Sequence, residues 1–144
     1  MTDDRFGLGR FVSAQAHDYQ AARAELRTGR KRTHWIWYIF PQIDGLGHSP
    51  MSKRYAIKSK AEAQAYLEHP LLGARLLECA TILLQLEGRS ASEIFGSPDD
   101  LKLKSSMTLF AAVQSREPAF ARVIDKYFQG QPDSRTIELL AQHP

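Results

Sequence analysis

One cysteine, Cys79, is all the thiol chemistry this 144-residue sequence contains. That excludes an internal disulfide and points to a reducing compartment, so the cytoplasm is the expected location. Long apolar runs are missing too. Trp35–Phe40 and Ile82–Leu84 fall far short of the roughly 20 residues a membrane-spanning helix needs, so no membrane partner is expected. The opening MTDDRFGLGRF carries acids and no apolar stretch, unlike a secretory signal. The histidines show neither HxxxH nor HExxH spacing, and no GxGxxG or P-loop motif occurs. No metal and no cofactor is therefore expected. Repeats, low-complexity tracts and linker-like stretches are absent as well, which leaves a single domain over 1–144 as the simplest reading.

What is present is the balance of an ordinary globular chain, 43% hydrophobic and 24% charged. The net charge of +3 says little, but its distribution says more. Residues 23–60 hold nine Lys or Arg against Glu25 and Asp44, a local +7. Residues 61–100 hold Arg75 and Arg89 against seven acids, a local −5. Kept apart in space, these blocks make one positive face that attracts an anionic ligand. Interleaved, they make only surface ion pairs of small individual worth.

Helix signals recur along the chain. Asp18 stands before YQAARAELRT, and Gly29 is placed for a left-handed cap. Ser59 with Glu62, and Ser90 with Glu93, have capping-box spacing. Pro70 suits the first position of LLGARLLECATILLQLE, which Gly88 closes. There the polar residues Arg75, Glu78, Thr81 and Gln85 share about a third of the circumference at helical period, so this is expected to be the central helix. Ser97-Pro98-Asp99-Asp100 starts another helix with acids at its positive end. Pro118 opens AFARVIDKYFQG, whose apolar residues recur at i, i+3, i+4, i+7 and i+8, and Gly130 ends it. A final amphipathic segment, Asp133–Gln142, is expected to bury Ile137, Leu139 and Leu140.

Strand signals are thin. WIWYIF lacks polar alternation, and Thr33 as N-cap with Pro41 as stop favours one or two helical turns. LKLK at 101–104 alternates like a strand but follows a strong helix start, and is assigned to the helix. The expected fold is all-α: about seven or eight helices in one compact domain around a central apolar helix at about 70–87, with one long loop from Pro41 to Pro50.

The phrases GRKRTHWIWYIFPQ, GLGHSPMSKRYAI, YLEHPLLGARL and GSPDDLKLKSSMTLF, in that order, resemble an uncharacterised, mainly bacterial family known as domain of unknown function 1810. The resemblance spans roughly Arg10 to Leu140. It implies a single helical domain and no established activity.

Three segments combine residue types that bind ligands. In the first, Arg30, Arg32 and His34 flank Trp35 and Trp37 and lead to Gln42. Guanidinium groups grip phosphate or carboxylate in pairs, and indole faces stack on planar rings. The structural alternative makes the aromatics core and the basic residues solvated helix-end charge. The second is the loop PQIDGLGHSPMS, where Gly45 and Gly47 permit close approach and Ser49 and Ser52 offer hydroxyls to an anion. A plain surface turn is the alternative. In the third, Lys102 shares a helix face with Ser106, and Lys104 with Thr108, so that either pair has the spacing of an oxyanion clamp beside Ser105. Alternatively the small hydroxyl residues permit close helix contact and bond back to the preceding turn.

Catalytic arrangements are weaker. Adjacent Asp99 and Asp100 diverge by about 100° on a helix and form no carboxylate dyad. Cys79 sits in an apolar helix beside Glu78, which raises a thiol pKa. His34 and His48 are an acid–base pair only if the loop brings them together. The leading expectation is a pocket for a phosphate-bearing small molecule such as a nucleotide, built from the three segments, with no reaction specified. Nucleic-acid binding through the basic segment 23–60 comes second. A protein-interaction domain with WIWYIF partly exposed comes third.

Overall fold

The computed structural model describes residues 4–114 and 116–142. The first three residues of the N-terminal stretch, read above for a signal, lie outside that range. Among the described residues there are nine helices: α1 (Gly9–Thr28), α2 (Ile36–Ile39), α3 (Pro50–Arg54), α4 (Lys60–Glu68), α5 (Leu72–Gln85), α6 (Ala91–Phe95), α7 (Asp99–Val113), α8 (Ala119–Phe128) and α9 (Ser134–Gln142). Their only β pairing is an isolated parallel bridge between Ile43 and Ile57. The all-α expectation holds.

Helix boundaries differ from expectation where a side chain from outside the local pattern supplies the cap. Asp4 accepts from the amides of Leu8 and Gly9, so α1 begins at Gly9 and Asp18 lies within it. Rather than capping, Asp18 accepts a hydrogen bond from the Tyr38 hydroxyl. Gly29 closes α1 in the left-handed conformation, as expected. The helix in WIWYIF is a single turn whose N-cap position is Trp35, not Thr33, because both the amide and the hydroxyl of Thr33 donate to Glu25. Pro70 is not the first residue of α5. His69 Nδ1 accepts from the amides of Leu71 and Leu72, which starts the helix at Leu72. At the other end α5 stops at Gln85, ahead of Gly88. There Lys126 Nζ donates to the carbonyls of Leu83, Leu84 and Leu86, and the Tyr127 hydroxyl to that of Leu83.

The Ser90–Glu93 capping box is complete. At Ser59 only half of the box forms, since the Glu62 carboxylate turns to the Lys58 amide and to Arg10. In α9, Leu139 and Leu140 are buried as expected, whereas Ile137 is 48% exposed because it lies on the opposite face.

Helix α5 takes its interior place against α1, α4 and α8, and α7 shares that role, packed by α2, α4, α6, α8 and α9. Their cores are joined through aromatic rings. Trp35, Phe40 and Phe95 contact one another at centroid separations near 6 Å, and Phe11, Tyr66, Phe110 and Phe120 form a second chain. At the α4–α5 junction a Cβ on Gly73 would lie 2.0 Å from the Leu67 carbonyl oxygen. Only glycine admits that approach.

No described helix is long and apolar enough to cross a membrane.

Candidate functional site

The segment from Gln42 to Ile57, which contains the loop expected between Pro41 and Pro50, is fastened at both ends. Asp44 donates its amide to the Ile57 carbonyl, and Ile57 donates to that of Gln42, each at 2.8 Å. From α1, the Arg10 guanidinium donates to the carbonyls of Arg54 and Ala56 and to the Glu62 carboxylate at 2.7 Å, holding the far end of the segment. Between these fastenings Gly45 has a φ of +106°, and a Cβ there would stand 3.1 Å from the Leu139 side chain. The loop therefore folds down onto α9 and stays clear of the first turns of α7.

The space left between is a cleft of about 220 Å³. One wall comes from Gln42 through Gly47, with Ser52, Tyr55 and Ala56, and the other from Pro98, Leu101, Lys102, Ser105 and Asp133. Trp37, half-buried on α2, lies between them. Lys102 Nζ sits 4.9 Å from the Trp37 ring centroid, and the same ammonium pairs with Asp99 at 3.4 Å. The other oxygen of Asp99 pairs with Lys31 at 2.9 Å. Across the cleft, Asp133 Oδ2 accepts from Ser105 Oγ and from the amide and hydroxyl of Thr136. Its Oδ1 has no protein donor among the described residues.

Five of the expected binding residues thus share one concavity: Trp37, Gln42, Ser52, Lys102 and Ser105. The rest do not join them. Arg30 and Arg32 are exposed and, with Lys31, line a separate shallow depression. His34 is exposed, and its carbonyl accepts from Tyr38. Trp35 is fully buried, its indole N–H donating to Glu25. Ser49 caps α3 by accepting from the Ser52 amide. Lys104 lies toward Phe128, and Thr108 Oγ1 donates to the Lys104 carbonyl while accepting from the Asp133 amide. Ser106 is fully buried and its hydroxyl has no partner among the described residues. The two expected oxyanion clamps are therefore not formed, because Ser106 and Thr108 face the interior while the lysines reach outward. Neither His34 nor His48 lines the cleft.

The charge blocks interleave at two points, Arg23–Glu78 and Lys31–Asp99. Glu25, from within the basic block, binds the turn that follows α1. Burial pushes its carboxyl up, but hydrogen bonds from the Arg32 amide, Thr33 and Trp35 outweigh that and hold it below the ordinary carboxylate range. Burial pushes the Cys79 thiol up to about 12, which removes it as a nucleophile at neutral pH. Among the described residues no group of three or more His, Cys, Asp or Glu stands together as a metal site.

Sequence reasoning missed Asp133, Tyr55 and Arg10. The Pro-Asp-Ser-Arg-Thr run carried a helix-start signal for Asp133, but nothing local revealed that its carboxylate would reach the Ser105 turn.

The fold has a solved counterpart. A crystal structure of the conserved hypothetical protein Rv1873 from Mycobacterium tuberculosis is 56% identical, with a TM-score of 0.95 over 96% of this chain and 99% of that one. No curated protein matches. The family model described as "Protein of unknown function (DUF1810)" matches residues 5–140, a span that contains every residue of the cleft. The chain belongs to the DUF1810 family.

Proposed function

We propose that the protein binds a small molecule with a planar ring, and that the cleft beside Trp37 is its site. The observation that carries this is the meeting of a half-buried indole with Gln42, Ser52, Lys102 and Ser105, drawn from two stretches distant in sequence, 37–52 and 102–105. Ligand sites have this make-up: apolar and aromatic walls with a few placed polar groups. At about 220 Å³ the cleft is below the roughly 300–1,000 Å³ of drug-sized pockets, so it suits one or two rings more than a whole nucleotide. A phosphate would find a single lysine there, Lys102, already paired with Asp99.

A thermal-shift screen of nucleobases, nucleosides, nucleotides and single-ring fragments tests the reading, since a ligand specific for the folded state raises the melting temperature by mass action. We expect ring compounds to raise it and Trp37→Ala to remove the rise. A rise that survives Trp37→Ala contradicts this choice of site.

A second reading, an anionic polymer on the exposed rim, draws on Arg27, Arg30 and Arg32 with Arg89, whose side chain packs on Gly29 at the C-terminal end of α1. Fluorescence anisotropy with single-stranded DNA and RNA tests it. Phosphate binding of this kind weakens steeply with salt, and absence of binding at low salt eliminates it.

A further inference from the structure

Of the charged groups lining the cleft, Lys102 has an ion-pair partner and the two carboxylates have none among the described residues. Lys102 shares the Asp99 carboxylate with Lys31, which holds it more closely. Asp133 and Asp44 take part in no ion pair with any described residue, and Asp44 is exposed on the loop. Asp133 Oδ2 is held by the amide and hydroxyl of Thr136, with the Ser105 proton shared between it and the Leu101 carbonyl, which leaves Oδ1 as an oriented acceptor. A carboxylate oriented this way costs a ligand little reorganisation.

Tyr55, 8% exposed, lines the cleft with a hydroxyl that has no partner among the described residues and can pair with a ligand donor or acceptor. One further observation points to a ligand that carries positive charge. The Trp37 face already serves as a seat for an ammonium, that of Lys102 at 4.9 Å, and an indole face attracts cations generally. A bound anion would instead have to approach two unpaired carboxylates.

We infer that the ligand of this cleft is a small planar cation, an amidine, guanidine or protonated amino-heterocycle, whose ring lies on Trp37 and whose N–H groups donate to Asp133. This rests on the reading of the cleft as a binding site and adds the sign of the ligand's charge.

The test is titration of the protein with four probes of similar ring size, benzamidine, 2-aminobenzimidazole, benzoate and phenyl phosphate, followed by tryptophan fluorescence, with Trp37→Phe giving the Trp35 signal alone. We expect the two cations to bind and the two anions not to. Asp44→Asn, at an exposed residue whose side chain has no partner among the described residues, weakens benzamidine binding. Asp133→Asn weakens it more, by about tenfold or greater, the scale of a lost charged hydrogen bond. Lys102→Gln supplies the sign. It strengthens benzamidine binding by removing a like charge, whereas in an anion site the same change abolishes binding. Binding by benzoate or phenyl phosphate that disappears in Lys102→Gln overturns the inference and leaves the binding reading standing. Absence of binding by all four overturns both.

Discussion

Ser106 and Arg10 mark the two extremes of how single side chains are used here. The Ser106 hydroxyl is fully buried without a partner among the described residues, a desolvation cost that no hydrogen bond there returns. Ser106→Ala is expected to be neutral or to raise stability by up to about 1 kcal/mol, measured by urea denaturation. Arg10 is the reverse case. Its guanidinium donates to four backbone carbonyls and to the buried Glu62 carboxylate. Arg10→Ala leaves that carboxylate buried and unpaired and is expected to cost about 3 kcal/mol by the same measurement. It also frees the carbonyls of Arg54 and Ala56, so the loop wall of the cleft loosens with it. Glu25 makes a pH prediction. Its pKa is depressed in the folded state, so its contribution is present above the ordinary carboxylate range and is lost as pH falls through the lowered value. Glu25→Gln should therefore flatten the loss of melting temperature on acidification below about pH 4.5, the region where an unperturbed glutamate protonates.

Helix existence was legible in the sequence except for the short α3, whose five residues carry no periodicity, and helix ends were less so, for a physical reason. Periodicity is a property of the helix itself, and it marked α5, α8 and α9, whereas α7 was marked by its start at Ser97–Asp100 against a strand-like LKLK pattern. Ends depend on which group satisfies the free backbone donors and acceptors. Where that group was local, as with Ser90 and Glu93 or Gly29, the sequence revealed it. Where it came from elsewhere, as with Lys126 on the last carbonyls of α5, or from an unexpected local atom such as His69 Nδ1, it did not. The α4–α5 junction adds a steric requirement. With the Leu67 carbonyl oxygen 2.0 Å from a Cβ at position 73, Gly73→Ala forces backbone movement. The expected cost is about 3 kcal/mol, at the upper end for overpacking, read as a lowered urea midpoint with unchanged slope.

Across the whole molecule, the fold brings together parts of three segments that the sequence marked only by composition. Trp37, Gln42, Ser52, Lys102 and Ser105 meet in one cleft, while Arg30, Arg32 and His34 stay on the outer rim. The division follows from the turn at residues 32–35. Glu25 ties its backbone and the Trp35 indole to α1, so the chain enters α2 with Trp35 inward and Trp37 toward the cleft. Composition could nominate both tryptophans, but only the tertiary tie to Glu25 separates scaffold from surface. The charge blocks are divided similarly. Lys31 and Arg23 are paired to acids from the later block, and Arg30 and Arg32 remain exposed.

The most direct measurement is a ¹H–¹⁵N titration with benzamidine that follows the two indole N–H signals. Trp35 donates to Glu25 from the closed core, and Trp37 borders the cleft, so the pair distinguishes site from scaffold within one spectrum. The account predicts that the Trp37 indole and Gln42 amide signals shift together and saturably while that of Trp35 stays in place. Shifts confined to Arg30–Arg32, or an unmoved Trp37 signal at saturating probe, would contradict it.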